Sequence, residues 1–431
     1  MYRFISFIVL IGFVPSVRAD LNDYVKKADP AFEWKLKEKK EYPQGTTYEI
    51  SLTSQEWQGI KWQHALMIYQ PKDVKPRDVL FLWVTGGKPN LGNAVLALEM
   101  ATKMQAPVAF LFDIPNQPLF DGKKEDALIA ETFVQYLKTK DASWPLLFPM
   151  VKSVVKAMDA VQAFSKEEWK LPVKQFIVSG ASKRGWTSWL SAATSDPRIK
   201  AIAPLVIDTL NMMKQMPHQV ASFGKPSEQI ADYVKRGLVP LPDSDEARKL
   251  WSWVDPWVYR DKLTLPKMII NGTNDPYWSQ DALNLYWDDL KGDKWVLYVP
   301  NAGHNLEQKH EDGKKDRNRS LSTLAAFARH QMADKPMPKL TWKHEGTDTC
   351  ILTVKCEPAP KTARLWVTEA TTRDFRQSKW TEQPAKHENG TVSGECLCPK
   401  EGYRAFFAEC DFEIDGLAYT LSTQLRVVGK K

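Results

Sequence analysis

Six continuous apolar runs, most of them separated by stretches of helical length, limit this 431-residue chain to few architectures. Each run is typical of a strand buried on both faces of a parallel sheet. They read VLFLWVTGG, APVAFLFDIP, VKQFIVSG, IKAIAPLVID, LPKMIINGTND and KWVLYVPNAGH. Before them, TTYEISLTS and IKWQHALMIYQP alternate like a half-buried antiparallel pair. The pattern predicts a doubly wound, mostly parallel sheet of eight strands with helices on both faces.

The chain is too long for one ordinary core, which predicts two domains. Residues 20–335 hold the alternating strands and helices, although residues 20 to about 45 are charged and predicted to be helical. Residues 209–260, approximately, interrupt the alternation and are predicted to form a helical cap over the carboxyl ends of the strands. After the proline-rich ADKPMPK, residues 340–431 contain short strands and turns. They predict a C-terminal β-sandwich of the immunoglobulin or fibronectin type.

The N-terminus, MYRFISFIVLIGFVPSVRAD, has the pattern of a secretory signal peptide. A positive charge at Arg3 precedes an apolar run that is too short to span a membrane. Small residues then lead to a predicted cleavage after Ala19. Residues 1–19 therefore predict export, and the mature protein is expected to be secreted or periplasmic, without a membrane span.

Composition limits the classes of partner that this chain is expected to bind. The net charge of +7 is spread along the chain without a dense basic run, so no nucleic-acid partner is predicted. Many of the 17 tryptophans lie in loops, where they either fill cores or offer stacking surfaces around a pocket. In an exported protein the late cysteines predict one or two disulfides confined to the C-terminal part. These cysteines are Cys350, Cys356, Cys396, Cys398 and Cys410.

The stretch FIVSGASKRGW carries the candidate nucleophile, Ser182. It follows a buried strand and opens a helix, as the serine of a nucleophile elbow does. The flanking glycines, Gly180 and Gly185, give G-x-S-x-x-G, whereas the usual elbow is G-x-S-x-G. Arg184 takes the usual place of the second glycine. Taken alone, the motif fits a glycine-rich strand-to-helix turn equally well.

The partners of a catalytic serine are found at the expected places in the chain. His304 follows the last strand of the sheet, where an α/β-hydrolase carries its base. Asp275 ends the preceding strand and is the preferred acid, since it would orient the imidazole and stabilise the imidazolium. Asp208, at the end of another strand, is an alternative acid.

The oxyanion hole is predicted from two backbone segments. One donor is the N–H of Lys183, which follows the nucleophile, and the other comes from Gly86 or Gly87 in VTGGKPN. The Lys183 side chain is left with three alternatives: it reaches the oxyanion, pairs with a substrate carboxylate, or points to solvent.

With these residues identified, the chain resembles the PhoPQ-activated pathogenicity-related proteins. The resemblance implies an exported α/β-hydrolase-like domain followed by a β-sandwich, in a family that includes eukaryotic secreted proliferation-repressor proteins. The elbow is also similar to that of glucuronoyl esterases, with Lys183 here in place of arginine. The matching stretches are WVTGGKPN, VSGASKRGWTSWL, INGTNDPYW, VPNAGHNL, TEATTRDFRQSKW and YRAFFAECDFEIDGLAYTLSTQLRV.

The sequence therefore predicts an exported serine hydrolase that cleaves an ester or amide bond in a small molecule or peptide. It implies no metal and no organic cofactor. One alternative is a non-catalytic secreted interaction or signalling protein, whose C-terminal domain would bind a protein or glycan partner. Another is a carbohydrate esterase, suggested by the loop tryptophans and the elbow.

Overall fold

The computed structural model describes residues 20–310 and 312–430. The predicted signal peptide, residues 1–19, lies outside the described residues. Within the described ranges, no helix is long and apolar enough to cross a bilayer.

The first part of the chain forms a mixed sheet. Its strands are β1 (Glu33–Tyr42), β2 (Gly45–Trp57), β3 (Ile60–Pro71), β4 (Val79–Val84), β5 (Val108–Leu111), β6 (Gln175–Ala181), β7 (Ile199–Leu205), β8 (Lys267–Gly272) and β9 (Lys294–Val299). Strands β4 to β9 pair in parallel in the order β5-β4-β6-β7-β8-β9, and β1-β2-β3 joins β5 in antiparallel pairing. All eight predicted strands are present as β2 to β9.

Helices cover both faces of this sheet, which explains the continuous apolar runs. The helices are α1 (Leu21–Lys26), α2 (Leu91–Met104), α3 (Glu125–Thr139), α4 (Leu147–Glu168), α5 (Lys183–Ala193), α6 (Met212–Phe223), α7 (Ala231–Lys235), α8 (Asp245–Val254) and α9 (Asn318–Met332). Leu80 and Leu82 of β4 pack into one core with α4 and α5, whereas Phe81 between them packs into a second core with α2 and α9. Helices α6 to α8 make up the predicted cap region.

The C-terminal part is antiparallel and forms two sheets that share an apolar core. A short hairpin of β10 (Gln308–Lys309) and β11 (Lys315–Asp316) precedes these sheets. Their strands are β12 (Lys339–Glu345), β13 (Thr349–Glu357), β14 (Thr362–Ala370), β15 (Thr381–Pro384), β16 (Lys386–Glu388), β17 (Thr391–Leu397), β18 (Gly402–Ile414), β19 (Leu417–Ser422) and β20 (Arg426–Lys430). One sheet has the order β12-β13-β17-β16, and the other β19-β18-β14-β15, with β20 paired to β18.

The two parts are joined through their strands. Strand β19 pairs with β9 at Ser422 and Val296, and Ser422 Oγ accepts a hydrogen bond of 3.1 Å from Tyr298 N. One C-terminal sheet therefore continues the central sheet instead of standing apart from it.

Two local predictions were wrong. Residues 33–42, expected to be helical, form β1, an edge strand whose Trp34 and Leu36 pack on the core while charged residues face solvent. Charged residues protect such edges, so composition there resembles that of a solvated helix. SQDALNLYWDDL, expected to be a helix, forms only two 3-10 turns, Ala282–Leu285 and Trp287–Asp289. Its side chains bond to distant groups, and these contacts outweigh local propensity.

The five cysteines are free thiols in the structure, which differs from the predicted disulfides. Two pairs are nevertheless close. Cys350 and Cys396 are cross-strand partners on β13 and β17, and Cys356 Sγ lies 3.7 Å from Cys410 Sγ. The second pair joins the two C-terminal sheets, since β13 and β18 belong to different sheets.

Candidate active site

Ser182 occupies the sharp turn between β6 and α5. Its φ of 58° and ψ of −125° lie outside the regions that L-residues ordinarily adopt. Main-chain hydrogen bonds fix the turn, because Ser182 N donates to Leu205 O and Trp186 N donates to Ser182 O, both at 2.9 Å. Strained backbone of this kind is typical of a nucleophile elbow, where it exposes the serine side chain.

The displaced glycine of the motif has a steric explanation. A Cβ on Gly180 would lie 2.7 Å from the Cβ of Arg184, so glycine at the first position leaves room for a side chain at the usual second glycine position. A Cβ on Gly185 would lie 2.7 Å from Ile207 Cγ2 and 3.0 Å from Leu205 O. Glycine is needed there because α5 packs closely on the end of β7.

Asp275 and His304 meet beyond the ends of β8 and β9. The Asp275 Oδ2 atom lies 2.8 Å from His304 Nδ1, and Asp275 Oδ1 accepts a hydrogen bond of 2.8 Å from Tyr277 N. The Tyr277 ring stacks beside the imidazole, with 4.3 Å between centroids and 31° between planes. A carboxylate at Nδ1 makes that nitrogen the donor and leaves the lone pair on Nε2.

The Nε2 atom of His304 is buried. Within the described residues it has no hydrogen-bond partner, so it is not hydrogen-bonded to Ser182 Oγ. Tyr277 connects His304 with Ser182, because its ring stacks on the His304 imidazole and lines the same pocket as Ser182. Catalytic hydrogen bonds are often longer in the free enzyme and tighten when substrate binds.

Asp208, the alternative acid, does not contact His304. Its carboxylate accepts hydrogen bonds from Tyr286 Oη at 2.6 Å and from Asn271 Nδ2 at 3.0 Å. Burial, together with the charge of nearby Asp275, raises the pKa of Asp208 to about 7. Of the two candidate acids, Asp275 is therefore the one placed to orient the imidazole.

The Arg184 side chain lies against Gly86, which belongs to one of the two predicted oxyanion segments. Gly86 follows β4, and a Cβ there would overlap the guanidinium of Arg184. The Gly87 φ of 71° favours glycine, and Gly87 O accepts a hydrogen bond of 2.9 Å from Asp113 N. Lys183 begins α5, where backbone N–H groups have no partner within the helix and can bind an anion.

Two carboxylates at the start of α3 pair with the cations that follow the serine. Arg184 makes a two-pronged bond to Glu125, at 2.6 and 2.7 Å, and also donates from Nε to Ile114 O at 2.6 Å. Burial acts to raise the pKa of Glu125, but the hydrogen bonds and charge of Arg184 outweigh it and lower the pKa to about 2. Arg184 thus ties together α3, the segment after β5 and the Gly86 loop.

The Lys183 ammonium lies 2.7 Å from Asp126 Oδ2. Burial acts to lower the pKa of Lys183, but the Asp126 charge and hydrogen bond outweigh it and raise the pKa. Tyr233 Oη donates to the other oxygen of Asp126 at 3.1 Å. The side chain is therefore paired within the protein and does not point freely to solvent. Sequence reasoning did not find Glu125 and Asp126, whose only local signal is an acidic pair opening a helix.

The loop between β14 and β15, residues 371–380, reaches the segments that carry the acid and the base. Asn274, next to Asp275, donates from Nδ2 to Ser378 O at 2.7 Å. Asn301, three residues before His304, donates from Nδ2 to Trp380 O at 2.9 Å and accepts from Trp380 N at 2.8 Å. The C-terminal part therefore supports both segments. The sequence indicated this loop only through TEATTRDFRQSKW, one of the stretches that resemble the PhoPQ-activated pathogenicity-related proteins.

A second serine–histidine contact, between Ser54 and His64, is structural. Ser54 Oγ lies 2.9 Å from His64 Nε2, but both side chains are buried in the core. His64 Nδ1 faces the backbone oxygens of Phe112 and Asp113 and not a carboxylate. Burial lowers the pKa of His64 to about 4, which makes it a poor base at neutral pH.

Comparisons with known proteins agree with this fold. The family described as "PhoPQ-activated pathogenicity-related protein" matches residues 21–376. The "Autocrine proliferation repressor protein A" of Dictyostelium discoideum is 33% identical to this chain. The alignment covers 94% of this chain and 88% of that protein. Among solved structures, acetyl xylan esterase 1 from Thermoanaerobacterium superposes with a TM-score of 0.51 at 13% identity, covering 74% of this chain and 92% of that one. The predicted α/β-hydrolase-like fold class is confirmed.

Proposed function

We propose that this chain, which belongs to the family of PhoPQ-activated pathogenicity-related proteins, is a serine hydrolase that cleaves an ester or amide bond. Ser182 is the nucleophile, His304 the base and Asp275 the acid. The observation that carries the proposal is the 2.8 Å contact between Asp275 Oδ2 and His304 Nδ1, together with a serine held at positive φ in a pocket that is also lined by Tyr277, the residue stacked on His304. The esterase-type fold supports the same chemistry.

In the proposed reaction, Ser182 Oγ attacks the substrate carbonyl while His304 Nε2 takes its proton. The N–H of Lys183 and an N–H of Gly86 or Gly87 bind the oxyanion that forms. His304 then gives the proton to the leaving group, and water hydrolyses the acyl-enzyme in a second, similar step. Asp275 stays ionised and stabilises the imidazolium throughout.

The proposed setting is outside the cytoplasm, in secreted or periplasmic form, with residues 1–19 removed. The basis is the signal-peptide pattern of the sequence alone. N-terminal sequencing of protein recovered from the producing cells tests it, because a mature chain should begin at Asp20. A chain that retains residues 1–19 would contradict it.

The proposed activity is tested with a panel of p-nitrophenyl esters and aminoacyl amides. We expect Ser182→Ala and His304→Ala each to lower kcat by at least about 10³-fold. His310→Ala is a matched control, because His310 also contacts an aspartate, Asp316, at 2.8 Å but is half exposed and does not line the pocket at Ser182. Equal rates for Ser182→Ala and the wild type would reject the proposal.

A second candidate is a secreted signalling protein on a hydrolase scaffold, favoured by the name of the 33% identical relative, which describes a repressor of proliferation. A proliferation assay with folded Ser182→Ala separates the two candidates. Full repression by the variant favours signalling without catalysis, whereas loss of repression together with esterase activity favours the hydrolase. The carbohydrate esterase alternative is tested by including acetylated oligosaccharides in the ester panel.

A further inference from the structure

A pocket of about 60 Å³ opens beside Ser182, between the elbow and the cap. The cap contributes Met212, Met216 and Leu241, and the central domain contributes Trp186 and Trp278. These side chains are apolar over most of their surface, so the pocket favours a hydrocarbon group.

The charged groups on the pocket wall are already paired with each other. The Lys183 ammonium contacts the Asp126 carboxylate at 2.7 Å, and Tyr233 Oη donates to the same carboxylate. Among the described residues that line the pocket, Lys183 and Asp126 are the only ones with charged side chains. A substrate carboxylate would have to compete with Asp126 for Lys183, at the cost of burying an extra negative charge.

The position of His304 indicates which part of the substrate enters this pocket. The leaving group must receive its proton from His304 Nε2, so it lies on the His304 side of Ser182. His304 does not line the pocket, whereas Ser182 does. The part of the substrate that enters the pocket is therefore the acyl group, which stays attached to Ser182 in the acyl-enzyme.

We propose that the pocket selects esters with a short, uncharged acyl group of about two to four carbons. This rests on the proposed function. An apolar cavity of about 150 Å³ is large enough to bind benzene, which has six carbons, so a pocket of about 60 Å³ favours an acyl group with fewer non-hydrogen atoms. Longer chains would have to displace the cap side chains.

The test uses purified mature protein with p-nitrophenyl acetate, butyrate, octanoate and hemisuccinate. We expect kcat/KM to be at least about tenfold higher for butyrate than for octanoate, and at least about tenfold higher for butyrate than for hemisuccinate. Octanoate or hemisuccinate turned over as fast as butyrate would overturn the proposal.

Enlarging the pocket is the second arm. Met216→Ala should shift the preference towards octanoate by about tenfold, and Leu241→Ala serves the same purpose if the first variant does not fold. Met213→Ala is the matched control, because Met213 lies on the same helix, is 64% exposed and does not line the pocket. An unchanged chain-length preference in a folded pocket variant would contradict the proposal.

The outcomes also separate this inference from the function on which it rests. Ser182-dependent turnover without any chain-length preference overturns the short-acyl proposal and leaves the hydrolase intact. Absence of Ser182-dependent turnover for every ester overturns both.

Discussion

Asn274 donates a hydrogen bond to the backbone oxygen of Ser378, 2.7 Å away, and so joins the neighbour of the proposed acid to the C-terminal part of the molecule. The same amide lies 3.3 Å from Phe375 O and 3.2 Å from Arg376 O. Arg376 in turn packs over Phe223 of the cap, 3.9 Å from the ring centroid. One loop thus contacts both the acid segment and the cap.

Asn274→Ala should therefore lower kcat by about tenfold with little change in KM, because Asp275 loses its fixed position while the pocket remains. The matched control is Asn284→Ala, which removes a similar bond of 2.9 Å to Leu425 O at a 3-10 turn away from the acid. Each variant should lose about 1 kcal/mol of unfolding free energy. Equal kcat losses in the two variants would show that the bond matters only for stability.

Arg184→Ala should lower kcat by about 10²-fold, because the guanidinium supports the Gly86 loop and bonds to Glu125 and Ile114. Arg184→Lys should recover little of this, since an ammonium cannot reproduce the two-pronged geometry. Steady-state kinetics on one ester measures both. Arg198→Ala is the control, because Arg198 has a comparable ion pair with Asp196 before β7. Full activity in Arg184→Lys would contradict a role for the two-pronged bond between Arg184 and Glu125.

Asp208 should make the protein less stable as pH rises from about 4 to 7. Burial raises its pKa to about 7 from an ordinary value of 3.8, so the folded state holds a proton that the unfolded chain releases in this range. This stabilisation is complete below the pKa that Asp208 has in the unfolded chain. It is lost as pH rises through the pKa that Asp208 has in the folded protein. A shift of this size is worth at most about 4 kcal/mol.

Asp208→Asn should flatten this part of the pH profile, because the amide stays neutral at every pH and the Asn271 side chain can rotate to pair with it. Urea unfolding of wild type and variant at pH 4, 5, 6 and 7 measures the difference. Parallel profiles for the two proteins would exclude Asp208 as the titrating group.

Cys356 and Cys410 should form a disulfide when the protein is exposed to oxidised glutathione. Their sulfurs are already 3.7 Å apart across the two C-terminal sheets. Thiol–disulfide exchange would link them, with glutathione carrying away both electrons and both protons. Peptide mapping without reduction should find this pair, and Cys356→Ser should abolish it. Linkage of Cys410 mainly to another cysteine in the wild type would contradict the expectation.

The sequence predicted the central sheet and the order of the proposed catalytic residues, for identifiable physical reasons. Strands such as β4 are buried on both faces, so almost every residue is apolar and the pattern is local. Ser182, Asp275 and His304 each follow a strand end, and the fold brings strand ends to one edge.

What the sequence did not predict depends on contacts between residues distant in the chain. The partner of Lys183 is Asp126, 57 residues earlier in the numbering, and no pattern around either residue identifies the pair. Ser378 supports Asn274 from the far side of the linker, across 104 residues. Strand β1 shows the same limit, since pairing with β2 decides its conformation while its charged composition suggests a helix.

Covalent labelling of Ser182 by a fluorophosphonate probe tests the central claim most directly. The probe reacts with a serine whose proton is removed by an adjacent base, and peptide mass spectrometry identifies the modified residue. We expect a single adduct on the peptide that contains Ser182, lost in Ser182→Ala and strongly slowed in His304→Ala. Folded wild-type protein that remains unlabelled, or that carries the adduct on another serine, would contradict the account.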